Sequence, residues 1–226
     1  MIKFDQILWR DILSDVNQSE VKRILAWIAN LKMFSEMNSH KLDHWKDCER
    51  WYFNSAGALV HEEGSFFEVM GVFATIGGRE VSSWHQPLIR QYEHGISALL
   101  LTQREDSLYC LVQAKSEAGA FDHLELAPTV QCIVGSYKNP ANEIPYLNKI
   151  LQEDGCITLS KTIQSEEGGR FYREQNMNIV SYTESFWEMQ SPYYKWVRVK
   201  DLRSLVMYNN LLNIELRTLF AIFMPI

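Results

Sequence analysis

The stretch Gln113-Ala114-Lys115-Ser116-Glu117, followed after a turn by Glu125-Leu126-Ala127-Pro128-Thr129-Val130-Gln131, decides how this chain is read. Alternation from Leu108 onward puts Leu108, Cys110, Val112 and Ala114 on one face of a strand. Tyr109, Leu111, Gln113, Lys115 and Glu117 fall on the other. Past Gly119 a second strand is expected, with Leu124, Leu126, Val130 and Cys132 on one side. His123, Glu125, Thr129 and Gln131 then share the opposite side, provided that Pro128 leaves the register intact. A solvated antiparallel face explains polar alternation as such. The clustering of amides, a lysine and carboxylates points instead to the floor of a pocket.

Working outward, strands are expected over 66–76, ended by Gly77-Gly78, and over 96–102, where Leu99-Leu100-Leu101 is continuous enough to be central. A helical segment over 144–152 precedes a hairpin of 156–166 and 171–183 around Gly168-Gly169. On the N-terminal side, Asn17 followed by Glu20 is a capping signal, and Val21, Ile24, Leu25, Ile28 and Leu31 recur at helical spacing. Residues 35–50 read as loop plus short helix, and 201–206 and 211–223 carry helical periodicity. The order of helix, mixed sheet, helix, strands and helices predicts an α+β fold. Residues 1–50 are expected to form a helical extension and 51–226 the main module.

A length of 226 residues with 46% apolar composition and seven tryptophans supports a substantial core and excludes a disordered chain. Net charge is −6 and basic residues never run in tracts, which argues against a nucleic-acid binder. A few arginines focused in a cleft can still attract a small anion. Cys48, Cys110, Cys132 and Cys156 are too widely spaced for a zinc or redox motif, so buried free thiols are expected. The opening Met1-Ile2-Lys3-Phe4-Asp5 is unlike a signal peptide and no apolar run reaches membrane length, which together suggest a cytoplasmic protein with no membrane partner.

Five blocks carry a resemblance: Arg79-Glu80-Val81-Ser82-Ser83-Trp84-His85-Gln86-Pro87; Gln113-Ala114-Lys115; Leu126 to Gln131; Gln164-Ser165-Glu166-Glu167-Gly168-Gly169-Arg170-Phe171-Tyr172; and Asn213-Ile214-Glu215-Leu216-Arg217-Thr218. In content and order they resemble segments of the NDP-hexose 2,3-dehydratases of deoxysugar biosynthesis. The resemblance implies a Nudix-like α/β/α sandwich with a mixed sheet. It also implies a dTDP-4-keto-6-deoxyhexose substrate that loses its C2 hydroxyl to give a 3,4-diketo-2,6-dideoxy product, with no cofactor. A 3-ketoreductase would then act on that product. The Nudix box is absent: Glu166-Glu167-Gly168-Gly169 lacks the preceding Arg-Glu pair and the helical spacing that presents carboxylates to a divalent ion. No metal and no pyrophosphate hydrolysis are therefore expected. The family usually carries this module twice, so a single-module homodimer is expected to rebuild the arrangement. Glu117-Ala118-Gly119-Ala120 stands where the commoner family pattern is Glu-Pro-Gly-Asn.

The implied elimination needs a base for the C3 proton, a donor for the enolate oxygen and an acid for the leaving hydroxyl. Lys115 is the expected polarising donor, its plain alternative being a salt bridge to Glu117 or Glu125. Glu125 and Glu166 are the carboxylates expected to act as base and acid, in either order, with solvated strand faces as the alternative, and Tyr137 is a candidate phenolic acid. For binding, Trp84, in a strand-poor segment ending in Gln86-Pro87, can stack on the base, with His85 and Gln86 beside it, and Arg170 can meet the pyrophosphate. Gln113, Thr129, Gln131, Tyr172 and Asn178 can bond sugar or base. Arg217 either reaches phosphate or pairs with Glu215. A non-catalytic sugar-nucleotide-binding module, supporting another dehydratase chain, is the competing reading.

Overall fold

A computed structural model of the chain describes residues 6–34, 42–64, 66–78, 80–133 and 144–221. Two helices, α1 (Gln6–Leu13) and α2 (Gln18–Phe34), precede a small antiparallel sheet of β1 (Trp51–Phe53), β2 (Leu59–His61), β3 (Glu68–Thr75) and β4 (Ser83–Arg90). The large sheet follows, from β5 (Gly95–Arg104), β6 (Ser107–Lys115), β7 (Glu125–Ala127), β8 (Val130–Ile133), β9 (Ile157–Ser165), β10 (Gln175–Tyr182) and β11 (Tyr194–Arg198). Helix α3 (Leu147–Gln152) lies between β8 and β9, and α4 (Val199–Leu205) and α5 (Ile214–Phe220) close the described chain. No helix among the described residues is long and apolar enough to cross a membrane.

The large sheet runs β11-β6-β5-β10-β9, antiparallel except where β10 lies parallel to β5. Helices cover both faces, giving the expected α/β/α sandwich. On one face Leu99, Leu101, Cys110 and Val112 pack with Ile12 of α1, Ile24 and Ile28 of α2, Leu202 of α4 and Leu216 of α5. On the other, Ala98, Leu100, Leu111 and Ile179 meet Tyr146 and Ile150 around α3. Burial of each such aliphatic side chain contributes roughly 1.5–3 kcal/mol. Alternation along β5 and β6 explains this: odd and even positions feed opposite cores, so the strands look apolar throughout. Helices α1 and α2 put their apolar stripe into the same cluster as the sheet. Asn17 caps α2 by accepting the Ser19 N–H, whereas Glu20 reaches forward to Arg23 rather than back to the cap.

Two expectations need correction. The segment around Trp84 was expected to be poor in strand, yet β4 spans it as the edge of the small sheet, with Pro87 opposite Gly71. An edge strand is where proline is tolerated. The second concerns Pro128. It does break the register: Leu124 and Leu126 enter one core, whereas Val130 and Cys132 enter the other.

The break has a structural purpose. Strands β5 and β6 pair directly only from Leu100↔Leu111 to Arg104↔Ser107. Beyond that point they splay, β7 pairing with β6 and β8 with β5, so that the segment bent at Pro128 is wedged between them. At the branch point the Thr129 hydroxyl accepts the Leu100 N–H at 2.9 Å and donates to the Leu111 carbonyl at 2.5 Å. It stands in for the ladder bond that the two strands can no longer make.

Candidate active site

The splayed end of the large sheet forms the floor of a cleft of about 950 Å³, walled by the β9–β10 hairpin and by the start of α5. Of the residues expected in a site, Gln113, Lys115, Gln131, Glu166 and Arg170 line it together. Lys115 closes an ion pair with Glu117, the plainer of its two readings. Gln131 Nε2 donates to both Glu117 oxygens, at 3.1 and 3.3 Å, and Gln131 Oε1 accepts from Asn213 Nδ2 at 2.6 Å. Asn213 Oδ1 caps α5 by accepting the Leu216 N–H. Each amide has one assigned orientation, so the lysine is tied through three side chains to a helix terminus. Gln113 Nε2 braces the Pro128 carbonyl at 2.9 Å.

The opposite wall is built on the β9–β10 hairpin. Register places Gln175 opposite Ser165, and the Glu166 N–H donates to the Glu174 carbonyl, so Glu166 and Glu174 are cross-strand neighbours. Asn176 lies two residues beyond Glu174 on the same face. Its Oδ1 accepts the Gly95 N–H at 2.9 Å, which turns Nδ2 toward Glu166. A Cβ on Gly95 would lie 2.1 Å from that Oδ1. Gly95→Ala is therefore expected to expel the Asn176 amide and lower stability by about 1–3 kcal/mol, the cost of stranding buried polar groups. Thermal unfolding of the variant checks this.

Five glutamates (Glu117, Glu166, Glu167, Glu174 and Glu215) line the cleft against Lys115 and Arg170. Burial, reinforced by the Glu166 charge, pushes the Glu174 carboxyl up to about 7. Burial also raises Glu215, with Glu117 adding to the shift and Lys115 opposing it. Oε2 of Glu174, Oε2 of Glu215 and Oε1 of Gln91 are buried and find no hydrogen-bond partner among the described residues. All three belong to residues of the cleft wall. Buried polar atoms are ordinarily satisfied, and these three unpartnered atoms lie beneath the surface of one concavity. The carboxyls, amides, lysine and arginine that line it suit a polar ligand. No group of three or more His, Cys, Asp or Glu that could hold a metal occurs among the described residues.

The other expected residues lie elsewhere. Glu125 and Arg217 line a second, smaller hollow of about 490 Å³ with Tyr208 and Asn210, and burial raises the Glu125 carboxyl. Thr129 is fully buried with its hydroxyl engaged by main chain, which makes it scaffold rather than a ligand contact. Asn178 is buried and donates to the Asn176 carbonyl. Trp84 Nε1 donates to Gln86 Oε1, and Gln86 Nε2 donates to the Gly169 carbonyl at 2.6 Å. This pair braces the turn that carries Arg170. His85 packs on Phe73, and the Tyr172 N–H bonds Ile89 of β4 while Arg173 lies over its ring. Arg170 itself is three-quarters exposed at the rim. Tyr137 lies outside the described residues.

Reading the sequence alone had missed Glu174 as a site residue and had treated Glu215 only as a partner for Arg217. The Gly168-Gly169 turn gave no signal for the first: equal steps from it pair residue 166 with 171, whereas the ladder is centred on Arg170 and sets Glu166 opposite Glu174. For Glu215 the signal was its place two residues after a capping asparagine, in the first turn of a helix.

Comparison with known proteins agrees with the blocks seen in the sequence. A dehydratase of Streptomyces violaceoruber, named dTDP-4-dehydro-6-deoxy-alpha-D-glucopyranose 2,3-dehydratase, is 38% identical over 165 residues, 73% of this chain and 37% of its own length. A protein of the same name from Saccharopolyspora spinosa is 32% identical over 96% of this chain and 45% of its own. One from Amycolatopsis orientalis is 30% identical over 97% and 45%. The chain thus spans less than half the length of these relatives. Among solved structures, an ADP compounds hydrolase superposes over 69% of this chain and 83% of its own at 13% identity, TM-score 0.41. A Nudix hydrolase of M. smegmatis does so over 54% and 90% at 12% identity, TM-score 0.34. The family model described as NDP-hexose 2,3-dehydratase matches residues 21–223, from the capped helix α2 through the cleft to the end of α5. The chain belongs to the NDP-hexose 2,3-dehydratase family.

Proposed function

We propose that this chain is a sugar-nucleotide 2,3-dehydratase, a carbon–oxygen lyase that removes the C2 hydroxyl of a dTDP-4-keto-6-deoxyhexose in deoxysugar biosynthesis. The observation that carries this reading is the cleft itself, where a lysine, amides and five glutamates converge within the family match. The C4 ketone acidifies the C3 proton and serves as electron sink, so an enolate route calls for no redox cofactor. In this reading Lys115 donates to the C4 oxygen, where charge builds in the transition state. Glu166 takes the C3 proton, and Gln113 and Gln131 bond the ring. Arg170, at the rim, meets the diphosphate. The product is a 3,4-diketone, which a 3-ketoreductase would consume.

Purified full-length chain is expected to consume dTDP-4-keto-6-deoxyglucose when supplied with a 3-ketoreductase and its reductant, followed by chromatography of the nucleotide sugars. Because the chain spans less than half the length of these relatives, we further propose that two copies of it associate as a homodimer. A sedimentation mass of one chain would dismiss the homodimer. The same length difference favours a second reading, a module that binds nucleotide sugar without turning it over. Retained binding with no consumption of several nucleotide variants would select it.

A further inference from the structure

We propose that Glu166 and Glu174 work as one same-face pair, Glu166 as the base that takes the C3 proton and Glu174 as the acid that protonates the departing C2 hydroxyl. This rests on the dehydratase reading and deepens it by assigning the acid. Three structural features carry it.

The first is placement. The two residues oppose each other across the β9–β10 ladder and both line the cleft. Directly opposed side chains on one face of an antiparallel pair have Cβ atoms about 4.5–5.5 Å apart, and like charges there repel. A pair of this kind is comfortable with one proton between its members. The second is asymmetry. Gly95 fixes the orientation of Asn176, and Asn176 hands an N–H to Glu166, a donor that favours a charged acceptor. Among the described residues Glu174 has no such donor, and its Oε2 is buried without a partner. Glu166 is thus equipped to accept a proton and Glu174 to hold one. The charged groups around the pair are Glu167 and Arg170 on the hairpin loop, with Glu215, Glu117 and Lys115 across the cleft. Burial and the Glu166 charge hold Glu174 protonated to about pH 7.

The third is a match to the substrate's stereochemistry. In a gluco-configured ring the C2 oxygen and the C3 hydrogen lie on the same face, so one wall of a cleft can serve both. Glu166 removes the proton at C3, and the C–H electrons move onto the C4 oxygen as the enolate. Their return forms the C2=C3 double bond and breaks C2–O, and the oxygen leaves as water with the proton of Glu174. The resulting enol becomes the diketone by losing its hydroxyl proton and gaining one at C2, so the net change is loss of one water.

The test uses full-length Glu174→Gln and Glu166→Gln with dTDP-4-keto-6-deoxyglucose. Each is expected to lower kcat by about 100-fold or more, while the substrate Kd, from quenching of tryptophan fluorescence, stays within about threefold. In the unsubstituted enzyme kcat is expected to fall as pH rises through about 7, the acid having lost its proton. Glu174→Asp keeps an acid but alters its surroundings, so it should retain part of kcat with that alkaline limb displaced. It decides the matter if Glu174→Gln does not fold, an unmoved limb overturning the pair. An unsubstituted enzyme without turnover overturns the dehydratase reading and the pair with it. An active enzyme in which Glu174→Gln keeps kcat within threefold overturns the pair alone.

Discussion

Thr129→Val is expected to lower the unfolding free energy by about 2–4 kcal/mol, read from chemical denaturation, although it preserves shape and adds apolar surface. Burial at this site is complete, so the added methyl contributes about 0.8 kcal/mol in favour of valine. What it loses is the hydroxyl that bonds both the Leu100 N–H and the Leu111 carbonyl. Stranding a buried polar group costs roughly 1–3 kcal/mol, and here there are two. The strands cannot recover the loss by closing, because the Pro128 segment occupies the gap between β5 and β6. Thr129→Ser keeps the hydroxyl and gives up one buried methyl, so it should cost only about 1 kcal/mol. A ligand-binding threonine would show the reverse: unchanged stability and weakened binding in the valine variant.

Lys115→Met is expected to reduce turnover by roughly 100- to 1,000-fold, the loss typical of deleting a donor aimed at a developing oxyanion. Melting temperature should scarcely move. The Lys115–Glu117 pair is part-exposed, and pairs of that kind contribute about 0–1 kcal/mol. The Gln131 and Asn213 amides keep Glu117 in place without the lysine. Steady-state kinetics beside a thermal melt separates the two roles. A lysine present only to neutralise Glu117 would leave kcat intact.

Much of the scaffold was legible because it rests on periodicity. The apolar run Leu99-Leu100-Leu101 and the alternation through Leu108 to Val112 specify a central pair of strands buried on both faces. The stripe of Val21, Ile24 and Ile28 likewise specifies a helix packed on the core. Lys115, Gln113 and Gln131 were legible for the same reason, being polar positions in otherwise apolar strands. Glu125 was not placed correctly, since it shares a ladder position with Lys115 yet turns toward Arg217 in the second hollow. Alternation gives a face and says nothing of what lies at its edge. Glu174 and Glu215 look like ordinary surface carboxylates in a linear sequence. Their burial comes from the hairpin and helix terminus that fold over them, which are contacts between segments far apart in the chain. Trp84 and Gln86 illustrate the converse: their motif is conspicuous, but they bond each other and the Gly169 carbonyl and do not line the cleft.

The forked sheet has a mechanical meaning. On the far side of Thr129, β5 and β6 are an ordinary hairpin, joined at Arg104 and Ser107, and on the near side they diverge around β7 and β8 to make the floor of the cleft. Widening that floor would mean breaking ladder bonds rather than moving a loop. A loop-built pocket can breathe while its scaffold stands still; this one is laid on the grain of its own sheet, and the breadth of its floor is a property of the fold.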